Sequence, residues 1–471
     1  MSGLEVEVRH RPVLDPGFVP AVLWERAYAA RVAADPRSTP VVLCVRRRDG
    51  TVFREDTAVL PHQGADVTLN LTHVERMVKT LLWMKGGSEI LVAGHPALAE
   101  ALAAIYSAAG PRAFDCDVVG RRIYGEAMVV RSIAAEEAPA PRVAAVPLGR
   151  NLDGCRIGFD LGGSDRKSAA VIDGRVVHAE EVEWSPYFES DPGYHYSGIM
   201  DSLERAAAHL PRVDAIGGSA AGVYVDNQPR VASLFRGISE ADFDAHIRPL
   251  FARLRRAWGD VPFEVVNDGE VTALAASMSL DANRLLGISM GTSLASGYCD
   301  ADGRITSRLN ELAFAPVDYR EGAPIDEWSG DAGCGVQYFS QQAVARLALA
   351  AGIDLPEEMP FADRLKAVQA LMAAGDARAR AIYQTIGAYL GYSIAWYAHW
   401  YDISHLLVLG RVTSGDGGGV IVEAARSVLA DEFPELEGRI AISTPDEQFK
   451  RHGQAIAAAS LPRIAPKEAT E

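Results

Sequence analysis

Hydrophobic and polar positions along the first third of the chain alternate between strand-like and helix-like patterns. VVLCVRR (41–47) is a strand-like apolar run, and LTHVERMVKTLLWM (71–84) has apolar residues at helical spacing. Residues 134–150 break the pattern, because they are rich in alanine and proline and show no period. The pattern predicts a small accessory α/β domain over residues 1–133, followed by a linker over 134–150.

Two similar patterns follow the linker. Short strands joined by tight turns occupy residues 156–182, and strands and helices alternate after them. RLLGISMGTSLASGYC (284–299) begins a second series of strand, glycine turn and strand about 130 residues later. This repetition predicts a duplicated α/β fold with two lobes around a cleft. We place lobe 1 at 151–280, together with a C-terminal helix at 453–471, and lobe 2 at 281–452.

The composition is that of an ordinary globular protein, with 48% hydrophobic and 23% charged residues among 471. The net charge of −16 arises after residue 150, where the net charge is −17 against +1 before it, and such acidity argues against nucleic-acid binding there. No apolar run is long enough for a transmembrane helix, and no signal-peptide pattern is present, so no membrane partner is expected. The five cysteines are scattered and odd in number, which predicts reduced thiols and a cytoplasmic location.

A glycine-rich turn follows the first strand after the linker. Asp160-Leu161-Gly162-Gly163-Ser164 ends that strand with a carboxylate, two glycines and a hydroxyl group. Glycines let the backbone approach a phosphate, and a carboxylate is a hard oxygen ligand for Mg²⁺. The residues alone allow two interpretations, a phosphate-handling turn and a hairpin with a polar rim.

Two later turns have related chemistry. Ser289-Met290-Gly291-Thr292-Ser293 ends a strand with a glycine and hydroxyl groups. LLVLGRVTSGDGGGVIVEAARSVL (406–429) is an apolar strand, a long Gly/Ser loop and an amphipathic helix. The N-terminus of such a helix suits a nucleoside or its phosphates, although a flexible surface loop has the same composition.

An Asn-Asp pair ends a further strand. In VVNDGEVTALA (265–275) the strand delivers Asn267 and Asp268 to the start of a helix. One interpretation is a helix cap, for which both residue types are common. The other makes Asn267 a hydroxyl-binding group and Asp268 a general base.

The order of these motifs resembles that of the actin/hexokinase/heat-shock-chaperone ATPase superfamily, and most closely that of the ROK family of bacterial sugar kinases. DLGGS (160–164) resembles D-[IL]-G-G-T, and VVNDGEVTALA resembles N-D-A-N-x-x-A-L-A. SMGTSLASG (289–297) is similar to L-G-T-G-I-G-G-G, and NELAFAPVD (310–318) is similar to G-E-I-G-H-M-P-V-D. The resemblance covers residues 155 to about 460 and implies a ribonuclease-H-like, two-lobed fold.

The resemblance also implies an ATP-dependent kinase that phosphorylates a hydroxyl of a sugar or sugar-like polyol. Asp268 is the implied general base. The implied substrate-binding residues are Asn267, Glu311 and Gly222. The implied ATP- and Mg²⁺-binding residues, with Asp160 facing the metal, are Asp160, Gly162, Gly163, Ser164, Lys167, Gly291, Thr292, Ser293, Gly410, Thr413 and Ser414.

The chain departs from the family at its zinc signature, a histidine followed by a cysteine cluster. Phe314 stands at the position of the histidine, and the segment of the cluster keeps only Cys334, so no zinc site is expected. The family's sugar-binding histidine is that same zinc ligand, so the resemblance implies that recognition of the sugar ring differs here. Val336 likewise stands where the family has a glutamate. We interpret three polar residues of this segment, each a conceivable replacement, as solvated loop residues: Asp326, Asp331 and Gln337.

Two alternatives to a kinase remain. Part of the family joins this fold to a DNA-binding domain and senses ligands, which requires a short, basic, helical N-terminal domain. Here residues 1–133 are neutral, mixed α/β and larger. The other alternative is a catalytically idle binding protein. The sequence does not distinguish hexoses, amino sugars and cyclitols as substrates, and the resemblance to a commonly dimeric family allows a homodimer. The aromatic segment 184–196 is interpreted as packing or a subunit contact.

Overall fold

The computed structural model describes residues 4–444 and 449–464 of the chain. Its strands are β1 Thr39–Arg46, β2 Val52–Val59, β3 Glu89–Ala93, β4 Val129–Ile133, β5 Cys155–Leu161, β6 Asp165–Ile172, β7 Arg175–Glu183, β8 Ala215–Ala220, β9 Val223–Val225, β10 Gln228–Val231, β11 Phe263–Asn267, β12 Leu285–Met290, β13 Leu294–Cys299, β14 His405–Leu409 and β15 Ala441–Ser443. Its α-helices are α1 Ala21–Ala34, α2 Asp66–Met84, α3 Pro96–Ile105, α4 Ala113–Asp115, α5 Pro192–Ala207, α6 Glu240–Asp242, α7 Leu250–Ala257, α8 Asp268–Ser279, α9 Gln341–Ala350, α10 Phe361–Ala373, α11 Ala377–Trp400, α12 Asp416–Glu432 and α13 Phe449–Ala459.

The chain divides into two compact units. Unit 1 comprises Met1–Ala145, Ile288–Ser296 and Arg308–Thr444. Unit 2 comprises Val146–Gly287, Gly297–Ser307 and Pro445–Glu471. Residues 1–133, treated above as an accessory domain, therefore belong to the same compact unit as residues 308–444.

Unit 2 is built on a five-stranded sheet in the order β11-β8-β5-β6-β7. β8 is parallel to both β5 and β11, whereas β6 is antiparallel to β5 and β7. Helix α13 packs closely on this sheet. A Cβ atom at Gly158 would lie 2.0 Å, and one at Gly217 1.7 Å, from a backbone carbonyl oxygen of the helix. Only glycine fits at these two strand positions.

Unit 1 contains a four-stranded sheet in the order β2-β1-β3-β4, and helix α2 is buried on all sides over its second half. A helix that is buried all round lies in the core of its domain. A second sheet has the order β13-β12-β14-β15, and the chain passes between the two units within β12 and within β13. The linker segment includes a bridge between Val52 and Arg142, so it is partly tied to β2.

Some local predictions differ from the structure. A helical pattern also extends over 240–258, but the structure has α6, a π-helical stretch Phe243–Ile247 and then α7, and Pro249 interrupts the hydrogen-bond ladder before α7 because it has no N–H group. The predicted C-terminal helix is observed as α13, which ends at Ala459, and residues 465–471 lie outside the described residues.

All five cysteines are free thiols. Within the described ranges, none of the helices has both the length and the apolar character that a membrane span needs.

Candidate functional site

The glycine-rich turn between β5 and β6 is held by its own polar groups. The Gly162 N–H donates to the Asp165 carbonyl at 2.9 Å, and the Ser164 hydroxyl lies 2.9 Å from the Asp165 carboxylate. The Lys167 ammonium lies 3.2 Å from the same carboxylate. Asp160 on β5 lies opposite Lys167 on β6 in the strand register. The turn therefore brings one cation and two carboxylates together at the end of β5.

An aromatic segment covers this turn. The indole N–H of Trp184 donates to the Gly162 carbonyl at 2.8 Å, and the Trp184 backbone N–H donates to the Ser164 carbonyl at 3.1 Å. A Cβ atom at Gly163 would lie 2.1 Å from the Tyr187 hydroxyl, so Tyr187 rests directly on that glycine. Trp184 and Tyr187 thus pack on the turn itself, which the sequence pattern did not indicate.

Asn267 is the cap of helix α8. Its side-chain oxygen accepts a hydrogen bond from the Gly269 N–H at 2.7 Å, and its amide nitrogen donates to the Gly222 carbonyl at 2.7 Å. Gly222 has a φ of 123°, a backbone conformation that favours glycine. The capping interpretation therefore applies to Asn267, whereas Asp268 is the first residue of the helix and its carboxylate accepts a hydrogen bond from the adjacent Gly269 N–H at 2.9 Å.

Strand register places Asp160 and Asp268 at the same edge of the sheet. Leu161 on β5 and Asn267 on β11 both pair with Ala220 on the intervening strand β8. Two neighbouring strand spacings separate such positions by about 9.5 Å along the sheet. Burial and the negative charge of Asp160 raise the pKa of Asp268 to about 6. Burial also raises the pKa of Asp160, against the opposing effects of the Ser219 hydroxyl and the Lys167 charge.

The second and third turns meet inside unit 1. Gly410 follows β14 with a φ of 101°, and a Cβ atom there would lie 2.5 Å from the Met290 carbonyl oxygen. This contact places Gly410 beside the turn that Gly291 begins. Thr292 and Ser293 in that turn are exposed.

The residues of these two turns suit a phosphate group. A Cβ atom at Gly291 would meet nothing closer than 3.6 Å, and one at Gly415 would meet nothing within 4 Å. Gly415 directly precedes the 17-residue helix α12, whose first N–H groups have no partner within the helix. The Thr413 hydroxyl is already bonded to the Gly410 carbonyl at 2.9 Å, and the Ser414 hydroxyl lies 3.5 Å from the same oxygen. Accessible backbone and hydroxyl groups therefore converge at the start of α12.

Glu311 lies on a loop of unit 1 and is partly buried. Its N–H donates to the carbonyl of Trp83, at the end of α2, at 2.9 Å. Phe314, at the position of the family's histidine, packs against the Trp83 ring at a centroid distance of 4.4 Å and against Trp328 at 5.3 Å. An aromatic cluster therefore surrounds the place where the family has its first zinc ligand.

The interpretation of Asp326, Asp331 and Gln337 as solvated residues is wrong, because all three are buried. Asp326 accepts hydrogen bonds from the Ser329 N–H and hydroxyl, and Gln337 bonds Gln342. Asp331 forms ion pairs with three residues of the N-terminal segment: Arg76, Lys79 and Arg112. The sequence did not reveal these partners. The one available signal was the presence of Arg76 and Lys79 among the apolar residues of the α2 segment.

The predicted site residues fall into two groups, one in each unit. Unit 2 holds Asp160, Gly162, Gly163, Ser164, Lys167, Gly222, Asn267 and Asp268. Unit 1 holds Gly291, Thr292, Ser293, Glu311, Gly410, Thr413 and Ser414. In unit 2 the strand register brings Asp160 and Asn267 to the same end of the sheet, and in unit 1 the contact of Gly410 with Met290 joins the second and third turns.

No protein-family model and no curated protein matches the chain. Among solved structures, the chain is similar to a ROK hexokinase from Thermus thermophilus, with 19% identity, a TM-score of 0.51, and coverage of 65% of this chain and 96% of that chain. It is also similar to a ROK-family transcriptional regulator, a homologue of the E. coli MLC protein, with 20% identity, a TM-score of 0.51, and coverage of 66% of this chain and 79% of that chain. The predicted fold class is thereby confirmed, and about two thirds of the chain has the fold of the ROK-family sugar kinases.

Proposed function

We propose that the protein is an ATP-dependent kinase that phosphorylates a hydroxyl group of a sugar or sugar-like polyol, with Asp268 as the general base. The observation that carries the proposal is the placement of Asp268 at the start of α8, on the same sheet edge as Asp160 and its glycine turn. The ROK fold supports the same reaction class, although the same fold also serves regulators.

Asp268 has the properties of a base that works near neutral pH. A carboxylate with a pKa of about 6 is ionised at pH 7 and yet binds a proton more readily than an ordinary aspartate. Its contact with the Gly269 N–H fixes one carboxylate oxygen and leaves the other to accept a proton from a substrate hydroxyl.

Asn267 would orient the substrate beside that base. Its side-chain oxygen and one amide hydrogen are used by Gly269 and Gly222, which fixes the plane of the amide. The second amide hydrogen is then the donor for a neighbouring hydroxyl of the ring. The Gly222 loop is held in place by the same hydrogen bond, which explains why this glycine belongs with the substrate residues.

In this reaction ATP would supply the transferred phosphoryl group, and Mg²⁺ would neutralise the negative charge on that group. In unit 2, Asp160 and Lys167 would hold the metal and a phosphate, with Gly162, Gly163 and Ser164 supplying backbone and hydroxyl groups. In unit 1, Gly291, Thr292, Ser293, Gly410, Thr413 and Ser414 would hold the nucleotide. The open sides of Gly291 and Gly415 and the exposed hydroxyls of Thr292 and Ser293 support this assignment.

A ligand-sensing regulator is the second candidate, because the similarity to the regulator has the same TM-score as the similarity to the hexokinase. The N-terminal segment argues against it. Residues 1–145 form a sheet and helices that belong to one compact unit with residues 308–444, rather than a small, basic helical module.

An ADP-release assay with a panel of hexoses, amino sugars and cyclitols tests the kinase directly. We expect one class of polyol to raise ADP release far above the rate with ATP alone and to yield a phosphorylated product by mass spectrometry. Specific retention of genomic DNA fragments, without polyol-dependent ADP release, would favour the regulator.

A further inference from the structure

The end of helix α2 is capped by the loop that carries Glu311. The last carbonyl groups of a helix have no donor within the helix. Three successive loop N–H groups satisfy carbonyls here: Glu311 to Trp83 at 2.9 Å, Asn310 to Met84 at 3.1 Å and Leu309 to Lys85 at 3.3 Å. The position of Glu311 is therefore coupled to the position of α2.

The loop adopts a backbone conformation that needs support. Asn310 is buried and has a φ of 56°, in the left-handed region that is uncommon for residues with a side chain. The Tyr401 hydroxyl donates to its side-chain oxygen at 3.1 Å. Such a conformation persists only where the surroundings hold it, and here Trp83 and Met84 of α2 and the following Lys85 supply three of the hydrogen bonds that do so.

A buried ion cluster fixes α2 to the downstream part of the same loop region. Lys79 is fully buried, and its ammonium lies 2.8 Å from the Asp115 carboxylate and 3.0 Å from the Asp331 carboxylate. The complete cluster contains three cations and three carboxylates: Arg76, Lys79, Arg112, Glu75, Asp115 and Asp331. Burial alone would raise the pKa of Asp331, but the neighbouring cations hold it below its ordinary value.

Trp83 connects this ion cluster to the Glu311 loop. Its indole N–H donates to Asp115, and the Lys79 ammonium lies 5.7 Å from the centre of its ring. The same ring packs against Phe314, and the Trp83 carbonyl accepts the Glu311 N–H. A displacement of α2 would therefore move both the backbone partner of Glu311 and the aromatic contact three residues later.

We infer that α2, fixed by the buried ion cluster around Asp331, positions Glu311 for the polyol, so that this helix of the N-terminal segment is part of the substrate-binding machinery. Asp331, Lys79 and Trp83 act as positioning residues, since none of them needs to touch the substrate. The inference rests on the proposed function in one respect, because Glu311 is a substrate-binding residue only if that function holds.

The test compares Asp331→Asn with a matched control in the full-length protein. Asp331→Asn keeps the shape of the side chain but leaves the three cations facing two carboxylates. Asp117→Asn also removes a carboxylate that pairs with two arginines, Arg121 and Arg122, but at a partly exposed position outside the cluster. Hydrogen exchange by mass spectrometry follows the amides of residues 309–311, with those of α11 as the internal reference for global opening.

We expect Asp331→Asn to speed exchange at residues 309–311 at least tenfold relative to α11 and to raise the KM for the polyol at least tenfold. The KM for ATP should change less than threefold, and Asp117→Asn should change none of these quantities. The inference would be overturned if the amides of residues 309–311 exchanged at the wild-type rate in folded Asp331→Asn, or if the KM for the polyol and the KM for ATP rose equally. If Asp331→Asn does not fold, Trp83→Phe, which loses the indole N–H but keeps a ring against Phe314, takes its place with the same criteria.

The two failures are distinguishable. If no polyol is phosphorylated by the wild-type protein, the proposed function fails, while the exchange rates still decide whether α2 holds the Glu311 loop. If a polyol is phosphorylated but its KM is insensitive to Asp331→Asn, the inference fails and the proposed function stands.

Discussion

Asp160 lies at the end of β5 and Asp268 directly follows β11, the two strands that flank β8, and the charge of Asp160 adds to burial in raising the pKa of Asp268 to about 6. Two carboxylates at one sheet edge disfavour each other's ionised form. The fold therefore carries an electrostatic cost at this edge, which is typical of functional sites.

That cost predicts that Asp268→Asn stabilises the protein at neutral pH. The pKa of Asp268 is about 6 in the folded chain against an ordinary value of 3.8, a difference that corresponds to about 3 kcal/mol. Because the folded state binds this proton more tightly, wild-type stability falls as the pH rises from about 4 to 6 and the full penalty persists above 6. The variant has no such titration.

Urea denaturation at several pH values measures this effect. The free energy of unfolding of Asp268→Asn should exceed that of the wild type by up to about 3 kcal/mol at pH 7 to 8, and the difference should vanish near pH 4. A variant that is less stable than the wild type at pH 8 would show that Asp268 contributes to stability rather than opposing it.

The contact between Gly163 and Tyr187 predicts a pair of compensating substitutions. A Cβ atom at Gly163 would overlap the Tyr187 hydroxyl and ring, so Gly163→Ala should displace that side chain at a cost of about 1 to 3 kcal/mol. In a Tyr187→Ala background the same change should cost almost nothing. A double-mutant cycle of unfolding free energies measures the coupling, and strictly additive effects would contradict the contact.

The close approach of α13 to the sheet of unit 2 predicts that an alanine at Gly217 is destabilising. At Gly217 the added Cβ would lie 1.7 Å from the Ala458 carbonyl oxygen, which is backbone and cannot move aside, so Gly217→Ala should destabilise the protein by about 3 kcal/mol or more.

Gly419 provides the matched control, since it is an exposed residue within α12 whose Cβ would meet nothing within 4 Å. Gly419→Ala should stabilise the helix by about 0.5 to 1 kcal/mol, through the lower backbone entropy of alanine in the unfolded chain. Thermal denaturation distinguishes the two variants, and a neutral Gly217→Ala would contradict the observed packing of α13.

Local patterns in the sequence were sufficient for much of the fold. The apolar strand FEVVN and the following helix were predicted at the residues where β11 and α8 lie, because alternation and turn residues are local signals. The sequence also marked Asn267 as a possible cap, and the structure assigns the cap to Asn267 rather than to Asp268.

The long-range contacts could not be predicted in the same way. The pairing of Lys79 with Asp331 joins residues 252 positions apart, and no periodic pattern encodes which buried charges will meet. For the same reason the sequence favours a solvated Asp331, whereas the structure buries it. The contact of Tyr187 with Gly163 was missed because an aromatic segment has the same appearance whether it packs on a turn or elsewhere.

The turnover of Asp268→Asn tests most directly whether Asp268 is the general base. Asparagine keeps the shape and the hydrogen bond to Gly269 but cannot accept the proton, so turnover with the best polyol should fall by about 10²- to 10⁴-fold. Binding of ATP should persist, and Asp281→Asn, which alters an exposed carboxylate of the same unit, should leave turnover unchanged. Near-wild-type turnover of folded Asp268→Asn would contradict the proposed role of Asp268.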